Sequence, residues 1–316
     1  MLNLKLLNPL AFSLVWIACL SLTGGGAVAQ VKLPEWDRVE IVTHDLGAGL
    51  YMLEGFGGNI GVSVGKDGIL LVDDQYAPLT EKIRAALAKI SDAPVRFVVN
   101  THWHADHTGG NENLGAAGAV IVAHDNTRVN LIEAMDDADI DAMLRPRPDS
   151  LPVLTFDDAL TFHLNGETIV ARHIPPAHTD GDVVVTFEGA NVIHVGDTYF
   201  NGFYPFIDVA HGGSIDNMIA FLGDLVAMSD ADTRIVPGHG AVASRTDVER
   251  YRADLIEIRG RVSDAIAGGL TLEDLIAARP LEDFNPRYAS EVVGQADVLR
   301  MIYKSLIRDG LGDDRQ

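Results

Sequence analysis

One short stretch, residues 100 to 111 (NTHWHADHTGGN), constrains this chain more than any other part of its sequence. It places three histidines and an aspartate within six positions, directly after the apolar run VRFVVN, which predicts a buried strand. Imidazole and carboxylate groups are poor core material, so packing alone does not explain four of them at the end of a strand. The stretch therefore predicts a site built from side chains at a strand end.

The residue types and their spacing point to metal binding. Zinc is bound by imidazole nitrogen and carboxylate oxygen at about 2.0 to 2.2 Å, so its ligands must converge. His102 and His104 are two residues apart and point the same way in an extended segment. Asp106 and His107 follow where two glycines allow the chain to turn. One loop could therefore present ligands to two ions.

Three distant residues could complete such a site, because each follows an apolar strand: His178, Asp197 and His239. We assign one set of ligands to the first metal ion (His102, His104 and His178) and another to the second (Asp106, His107 and His239). Asp197 would bridge the two ions, which in such sites lie roughly 3.5 to 4 Å apart. We predict two Zn²⁺ per subunit, with iron or manganese as alternatives. Among the other histidines, His194 could support the site, although its position inside an apolar run favours a core residue. His211 could line the cleft.

The order of predicted elements indicates an α/β protein. Each half of the chain carries strands, then a helix, and then a strand that ends in ligand-type residues. Examples are the hairpin NIGVSVGKDGILLVDD, with Asp67-Gly68 at its turn, and the helix SIDNMIAFLGDLVAMS, capped by Ser214. Two such halves predict two packed sheets with helices outside them, a four-layer αββα sandwich. We place the catalytic domain at residues 30–245 and a C-terminal helical extension, packed on the core, at residues 246–316.

The first 29 residues predict a signal peptide. Lys5 is their only charge, an apolar run extends from 10 to 22, and the small triplet AVA at 27–29 suits cleavage. The run has about 13 residues against the roughly 20 that span a bilayer, which disfavours an uncleaved anchor. Cys19 leaves a lipoprotein site as a weaker alternative. We expect a periplasmic or secreted protein with no stable membrane anchor after cleavage, and without cysteine, because Cys19 is the only one.

The charge of the chain limits its partners. The formal net charge is -21 at pH 7, and such an acidic protein is repelled by phosphate backbones. We therefore expect a small-molecule carbonyl substrate and no nucleic acid. The sequence leaves the oligomeric state open, and the C-terminal helices could form a dimer surface or only flank the core.

Taken together, the motifs resemble the full set of the metallo-β-lactamase fold superfamily. They are His102-x-His104-x-Asp106-His107, His178 with the trailing Gly181-Asp182, Gly196-Asp197, and Gly238-His239-Gly240. The resemblance covers residues 40 to 243. It implies an αββα fold with a dinuclear zinc site in the cleft between the sheets, and usually hydrolysis. It also matches Asp73, near the end of ILLVDD, to a strand-end aspartate that supports the metal ligands.

The name of the superfamily does not imply that the substrate of this protein is a β-lactam. In one group of β-lactamases the position matched by Asp197 is a cysteine, with a lysine three residues later where this chain has Phe200. In another group that position is a serine. The aspartate instead resembles the thioesterase, lactonase and general hydrolase branches.

The predicted function is that of a dinuclear zinc-dependent hydrolase. A metal-bound hydroxide would attack the carbonyl of an ester, thioester, lactone or amide. Asp106 would orient the hydroxide and pass a proton to the leaving group, besides binding metal. The alternatives are a β-lactamase, an iron-dependent enzyme resembling sulfur dioxygenases on the same fold, and a metal-binding protein without turnover.

Two loops that combine glycines with aromatic residues are expected to contact the substrate, FGGNI at 56–60 and YFNGFYPFID at 199–208. The candidate substrate-binding residues in them are Asn59, Tyr199, Asn201, Phe203 and Tyr204. The acidic, proline-containing segment 136–152 is predicted to be an exposed loop and is a candidate lid.

Overall fold

Two β-sheets lie face to face at the centre of the computed structural model, which describes residues 33–311. The first sheet has seven strands in chain order: β1 (Val42–Gly47), β2 (Leu50–Glu54), β3 (Ile60–Gly65), β4 (Gly68–Val72), β5 (Val95–Val99), β6 (Val120–His124) and β7 (Leu154–Phe156). Strands β1 to β4 pair antiparallel, and β4 to β7 pair parallel. The predicted Asp67-Gly68 turn joins β3 to β4, and Gly68 has a φ of +108° that favours glycine.

The second sheet has five strands: β8 (Ala159–Leu164), β9 (Glu167–His173), β10 (Val183–Phe187), β11 (Val192–His194) and β12 (Arg234–Val236). Strands β8 to β11 are antiparallel neighbours in chain order, and β12 pairs parallel with β11. Because β11 and β12 run in the same direction, the loops that follow them emerge at the same edge of the sheet. Those loops carry Asp197 and His239.

Helices cover the outer face of each sheet. They are α1 (Thr80–Leu87), α2 (Ala105–Thr108), α3 (Asn111–Ala116), α4 (Asp125–Met135), α5 (Ile215–Met228), α6 (Arg245–Ala267), α7 (Leu272–Ala278), α8 (Asn285–Tyr288) and α9 (Gln295–Leu306). The predicted cap of α5 is present, since Ser214 accepts from Asn217 N, and at the start of α7 Thr271 accepts from Asp274 N in the same way.

The apolar core has three layers, and this arrangement confirms the predicted αββα sandwich. Met52, Leu70 and Val99 of the first sheet pack against Ile169 and Val185 of the second, between the sheets. Side chains from the other face of the first sheet pack on α1 and α3. The outer face of the second sheet packs on α5, α6 and α9, so the C-terminal helices share a core with the sandwich.

The structure differs from the predicted elements at three places. Strand β7 was not predicted, because three residues are too few to show an alternating pattern. The predicted C-terminal helical extension is not helical throughout, since residues 289–294 separate α8 from α9 and Gly294 occupies the N-cap position of α9. The segment 136–152 is only partly an exposed loop, since Ile140 is buried against Trp103.

The predicted signal peptide, residues 1–29, lies outside the described residues. Between residues 33 and 311, no helix is both long enough and apolar enough to span a membrane.

Candidate metal centre

The loop after β5 carries four of the predicted metal ligands. Thr101 N donates to Asp73 Oδ1 at 2.7 Å, which fixes the loop where it leaves the first sheet. Its extended part carries His102 and His104, and α2 carries Asp106 and His107. Gly109 ends this helix in a crowded place, where a Cβ atom would lie 2.7 Å from a carbonyl oxygen. The glycine after the histidines is therefore required by close packing.

The second sheet supplies the other three predicted ligands. His178 follows β9, Asp197 lies in a short 3-10 turn after β11, and His239 follows β12. Asp182 fixes the backbone at His178, because its carboxylate accepts from His178 N at 2.7 Å and from Thr179 N. All three side chains are buried at the edge that faces the β5 loop.

The seven side chains form two groups, and within each group the ligand atoms lie within 4.8 Å of one another. One group contains His102, His104, His178 and Asp197, and the other contains Asp106, His107 and His239. The structure thus brings together every residue that the sequence suggested as a metal ligand.

Asp197 lies between the two groups. Its Oδ1 is 3.1 Å from His107 Nε2 and 3.4 Å from His239 Nε2. Its Oδ2 is 3.6 Å from His178 Nε2 and 4.0 Å from His102 Nε2. One oxygen of the carboxylate therefore faces each group, which is the geometry that a bridging carboxylate needs.

Hydrogen bonds at the far ring nitrogens fix the orientation of four histidines. His107 Nδ1 contacts Asp73 Oδ2 at 2.7 Å, and His104 Nε2 contacts Asp208 Oδ2 at 3.1 Å. The other two contacts, at 2.8 Å and 3.0 Å, join His178 Nδ1 to Phe206 O and His102 Nδ1 to Thr101 Oγ1. Partners of this kind leave the opposite nitrogen of each ring free to bind an ion.

Burial and mutual contact shift the pKa values in the cluster. Burial, together with the neighbouring His107 and His178, holds the pKa of His102 well below its usual value, and burial lowers the pKa of His178 to about 4. Both rings are therefore neutral at pH 7, the state in which imidazole binds metal. Burial alone would raise the pKa of Asp197, but His107 and His239 outweigh it and hold this pKa well below its usual range.

The residues present fit a metal ion. His102 Nε2, Asp106 Oδ2 and both carboxylate oxygens of Asp197 are buried without a hydrogen-bond partner. His178 Nε2 lies 2.9 Å from His104 Nδ1, and His107 Nε2 lies 3.3 Å from His239 Nε2. Two atoms bound tetrahedrally to one zinc ion at about 2.0 to 2.1 Å lie about 3.3 to 3.4 Å apart. The separation of 3.3 Å matches this value and that of 2.9 Å is somewhat shorter, and one cation in each group would satisfy the orphaned atoms.

Two glycines allow the cluster to be so compact. A Cβ atom at Gly58 would lie 2.2 Å from His107 Cε1, and one at Gly238 would lie 2.0 Å from Asp197 Oδ1. Real Cβ atoms do not approach other atoms so closely, so any larger residue would displace a ligand.

Three of the predicted substrate-binding residues lie in or against the apolar core. Tyr199 and Tyr204 are each 1% exposed and belong to the apolar core under the C-terminal helices, and Phe203 packs against the same core. The Tyr204 hydroxyl donates to Leu281 O at 3.2 Å and contacts Asn285 Oδ1 at 2.9 Å. The C-terminal helices cover the loop that carries these two tyrosines, and a contact of either with the substrate stays a prediction.

The two predicted asparagines, Asn59 and Asn201, form hydrogen bonds with the loop that carries His239. Asn59 is buried, and its Nδ2 donates to Pro237 O at 3.0 Å and to Gly240 O at 2.8 Å. It thereby ties the 56–60 loop to the loop of His239. Asn201 Nδ2 donates to Ala241 O at 2.9 Å on the same loop.

Sequence reasoning missed Asp208 and left His211 uncertain. Asp208 is buried and accepts from His104 and, at 2.7 Å, from His211 Nδ1. The His211 ring also packs on Trp103, with ring centroids 4.6 Å apart. No local pattern distinguishes Asp208 from other loop aspartates, since its partner His104 is 104 positions away. His194 is a core histidine whose Nε2 contacts Asn59 O at 3.1 Å.

Comparison with known proteins agrees with the fold and the motifs. The family description "Metallo-beta-lactamase superfamily" matches residues 53–269. The chain therefore belongs to the metallo-β-lactamase superfamily, as the sequence motifs predicted.

Two curated relatives show what the chain is similar to. A "Lactamase-like protein" of Emericella nidulans is 26% identical over 232 residues, which cover 69% of this chain and 66% of that protein. A "Hydroxyacylglutathione hydrolase" of Anaeromyxobacter dehalogenans is 31% identical over 183 residues, which cover 55% of this chain and 62% of that protein. The chain thus spans less than two thirds of the length of either relative.

Solved structures share the fold at low identity. A metallo-β-lactamase from Pontibacter korlensis superposes with a TM-score of 0.58 and 18% identity, covering 68% of this chain and 99% of that chain. A double mutant of the sec-alkyl sulfatase PisA1 superposes with a TM-score of 0.67 and 15% identity, covering 87% of this chain and 51% of that chain. At such identities the likeness concerns the fold alone.

Proposed function

We propose that this protein is a dinuclear zinc-dependent hydrolase that acts on the carbonyl group of an ester, thioester, lactone or amide. The observation that carries the proposal is the position of Asp197, with one carboxylate oxygen facing each of two buried ligand groups. His102, His104 and His178 would hold one ion, Asp106, His107 and His239 would hold the other, and Asp197 would bridge them. When bound, zinc lowers the pKa of a coordinated water to about 7 and polarises a carbonyl oxygen.

The residues of the chain would contribute orientation and proton transfer. Asp106 Oδ2 is buried without a hydrogen-bond partner, 3.4 Å from His239 Nε2 and 3.7 Å from His107 Nε2. Burial alone would raise the pKa of Asp106, but His107 and His239 outweigh it and lower this pKa, so the side chain is a carboxylate at neutral pH. A carboxylate there can hold a proton during the reaction and release it to the leaving group.

The chemistry of the relatives supports the acyl substrate class. One relative is named a hydroxyacylglutathione hydrolase, and two others, from Aspergillus terreus and Aspergillus fumigatus, are named atrochrysone carboxyl ACP thioesterases at 24% identity. These names describe thioester hydrolysis by those proteins. Together with the aspartate at position 197, they favour an ester or thioester over a β-lactam.

Metal analysis of the purified protein tests the proposed cofactor. We expect about two zinc ions per chain by plasma mass spectrometry, and activity that chelation removes and zinc restores. The same preparation should be assayed on acyl thioesters, acyl esters, lactones and a chromogenic cephalosporin. Redox-active iron as the only metal that supports turnover would favour the sulfur dioxygenase alternative, and a cephalosporin rate above all others would favour a β-lactamase.

Substitutions test whether the centre carries the activity. We expect His104→Ala and Asp106→Ala to lower kcat/KM by about 10²-fold to 10⁴-fold, the range for loss of a group that transfers a proton or binds the metal. The matched control is His163→Ala, because His163 is exposed on β8, away from the cluster. Activity that survives in both cluster variants would show that this centre is not the site of reaction.

We also propose that the protein is exported and that residues 1–29 are removed. The charge distribution and the AVA triplet support this proposal. Expression of the full chain in a Gram-negative host should yield a periplasmic protein that begins at Gln30 by mass spectrometry. A full-length protein in the cytoplasmic fraction would contradict it.

A further inference from the structure

A cavity of about 170 Å³ lies between the α2–α3 region and the segment 136–152. It is distinct from the cluster of ligands, because it meets α2 through Ala105 and Thr108 and not through Asp106 or His107. The segment 136–152 contributes both apolar and basic lining: Met143, Leu144, Pro146, Arg145 and Arg147.

Arg145 is the unusual residue of this cavity. Its side chain is half-buried, its Nη2 donates to Ile140 O at 2.9 Å, and its Nε is buried without a hydrogen-bond partner. Among residues 33–311, Arg145 is the only arginine with a buried nitrogen that lacks a hydrogen-bond partner. It also forms no ion pair with any of these residues. A half-buried guanidinium that lines a cavity and has no carboxylate partner there suits an anionic ligand.

The charge of the whole chain makes the unpaired arginine more informative. Acidic residues outnumber basic ones by 45 to 24, so a carboxylate partner is easily found for most arginines. Arg147, which lines the same cavity, has such a partner, since its Nη1 lies 3.4 Å from Glu112 Oε1. Arg145 is thus left as the one lining cation whose charge is not balanced by a pair within the cavity.

We propose that this cavity binds a short-chain monocarboxylate, with Arg145 as its anchor. A carboxylate would pair with the positive charge of the guanidinium, and the apolar side chains of Met143, Leu144 and Pro146 suit a short alkyl chain. The volume of about 170 Å³ corresponds to about six water molecules at roughly 30 Å³ each, which limits the ligand to a few heavy atoms. Glu112 in the lining repels a second negative charge, so phosphate fits less well.

Binding there would join two parts of the chain. Arg145 belongs to the segment 136–152, whereas Ala105, Thr108 and Asn113 belong to the region that follows the first metal ligands. A bound carboxylate therefore holds this segment against α2 and α3. The inference does not depend on the proposed hydrolase activity, because none of the proposed metal ligands lines the cavity.

Propionate binding to the metal-loaded protein tests the proposal. Isothermal titration calorimetry with sodium propionate should detect one site, and Arg145→Gln should weaken binding at least tenfold. The matched control is Arg96→Gln, which removes the same charge from an exposed arginine without an acidic partner, far from the cavity lining. Hydrogen exchange should show that propionate slows amide exchange within residues 136–152 in the wild type and in Arg96→Gln, but not in Arg145→Gln.

Three results would overturn the proposal. Equal propionate affinity in the wild type and Arg145→Gln would place the ligand elsewhere, for example at the metal centre. Equal losses in both arginine variants would reveal a general effect of charge. Inorganic phosphate that binds more tightly than propionate would contradict the monocarboxylate assignment. Near-ultraviolet circular dichroism of Arg145→Gln that matches the wild type excludes misfolding as the cause of a loss.

Discussion

Replacement of Asp73 by asparagine isolates one hydrogen bond behind the metal centre. Asp73 Oδ2 contacts His107 Nδ1 at 2.7 Å and Thr101 Oγ1 at 2.8 Å, while Oδ1 accepts from Thr101 N at 2.7 Å. Its φ of +66° is a left-handed conformation that asparagine tolerates and alanine does not. Asp73→Asn therefore keeps the shape, the backbone and the contact of Oδ1, and it removes the acceptor for His107.

The expected effect can be derived in two ways. A hydrogen bond to a charged group contributes about 1.5 to 3 kcal/mol. Loss of a partner that orients a metal-binding histidine lowers metal affinity by about 10-fold to 100-fold. A factor of ten corresponds to about 1.4 kcal/mol, so the second range is about 1.4 to 2.8 kcal/mol and agrees with the first. We expect the ion at His107 to bind about 30-fold more weakly, the middle of the range.

Competition with a chromophoric chelator measures the two zinc affinities separately if they differ. The matched control is Asp74→Asn, an equally buried neighbour whose Oδ1 accepts from Gly110 N at 2.9 Å. Burial raises the pKa of Asp74 well above its usual value, so a neutral amide replaces it at small cost. We expect Asp74→Asn to bind zinc within threefold of the wild type. Wild-type zinc affinity in Asp73→Asn would refute the orienting role.

Three other substitutions test separate parts of the structure. Gly58→Ala places a Cβ atom 2.2 Å from the His107 ring, and we expect a loss of about 1 to 3 kcal/mol in urea unfolding together with weaker zinc binding. Tyr204→Phe removes the buried hydroxyl contacts, and we expect a loss of about 0.5 to 1.5 kcal/mol in unfolding free energy with KM unchanged; a raised KM at unchanged stability would instead support the predicted substrate contact. Burial and the stacked His173 lower the pKa of His124 in the folded state. As the pH falls, His124 is therefore protonated in the unfolded state at a higher pH than in the folded state. The free energy of unfolding of the metal-free protein should decrease below about pH 6.5, the usual pKa of histidine. His124→Asn keeps an N-cap for α4 and should reduce the difference in unfolding free energy between pH 8 and pH 5; an unchanged difference would show that protonation of His124 is not linked to unfolding.

The candidate centre could be predicted because its residues follow local patterns. Each predicted ligand lies in the loop or short helix that follows an apolar strand, where packing in the core does not explain a polar side chain. The layered fold follows from the same patterns, since alternating strands and amphipathic helices fix which faces must be covered. The sequence could therefore supply both the ligands and the sheets that carry them.

The parts that were not predicted depend on contacts between distant residues. Tyr199 and Tyr204 lie in a glycine-containing loop, and a loop is usually exposed. They are buried because α6 and the region around α8 fold over them, so that Tyr199 packs on Tyr251 with ring centroids 5.1 Å apart. Asp208 could not be predicted for the same reason, because it contacts its partner His104 only when the two sheets pack together. No pattern within a short window of sequence contains this information.

The contacts of Asp197 connect the two halves of the fold. His107 and Asp106 come from the first sheet, whereas Asp197 and His239 come from the second, and the closest contacts between them lie within 3.1 to 3.4 Å. Neither half can therefore form its ligand group alone, since each group contains residues from both sheets. A cation held there binds the folded state and not the separated halves, so it stabilises the docking of the sheets by a free energy that grows with the logarithm of its affinity. The arrangement that would place an ion for chemistry is thus the same one that would hold the sandwich together around it.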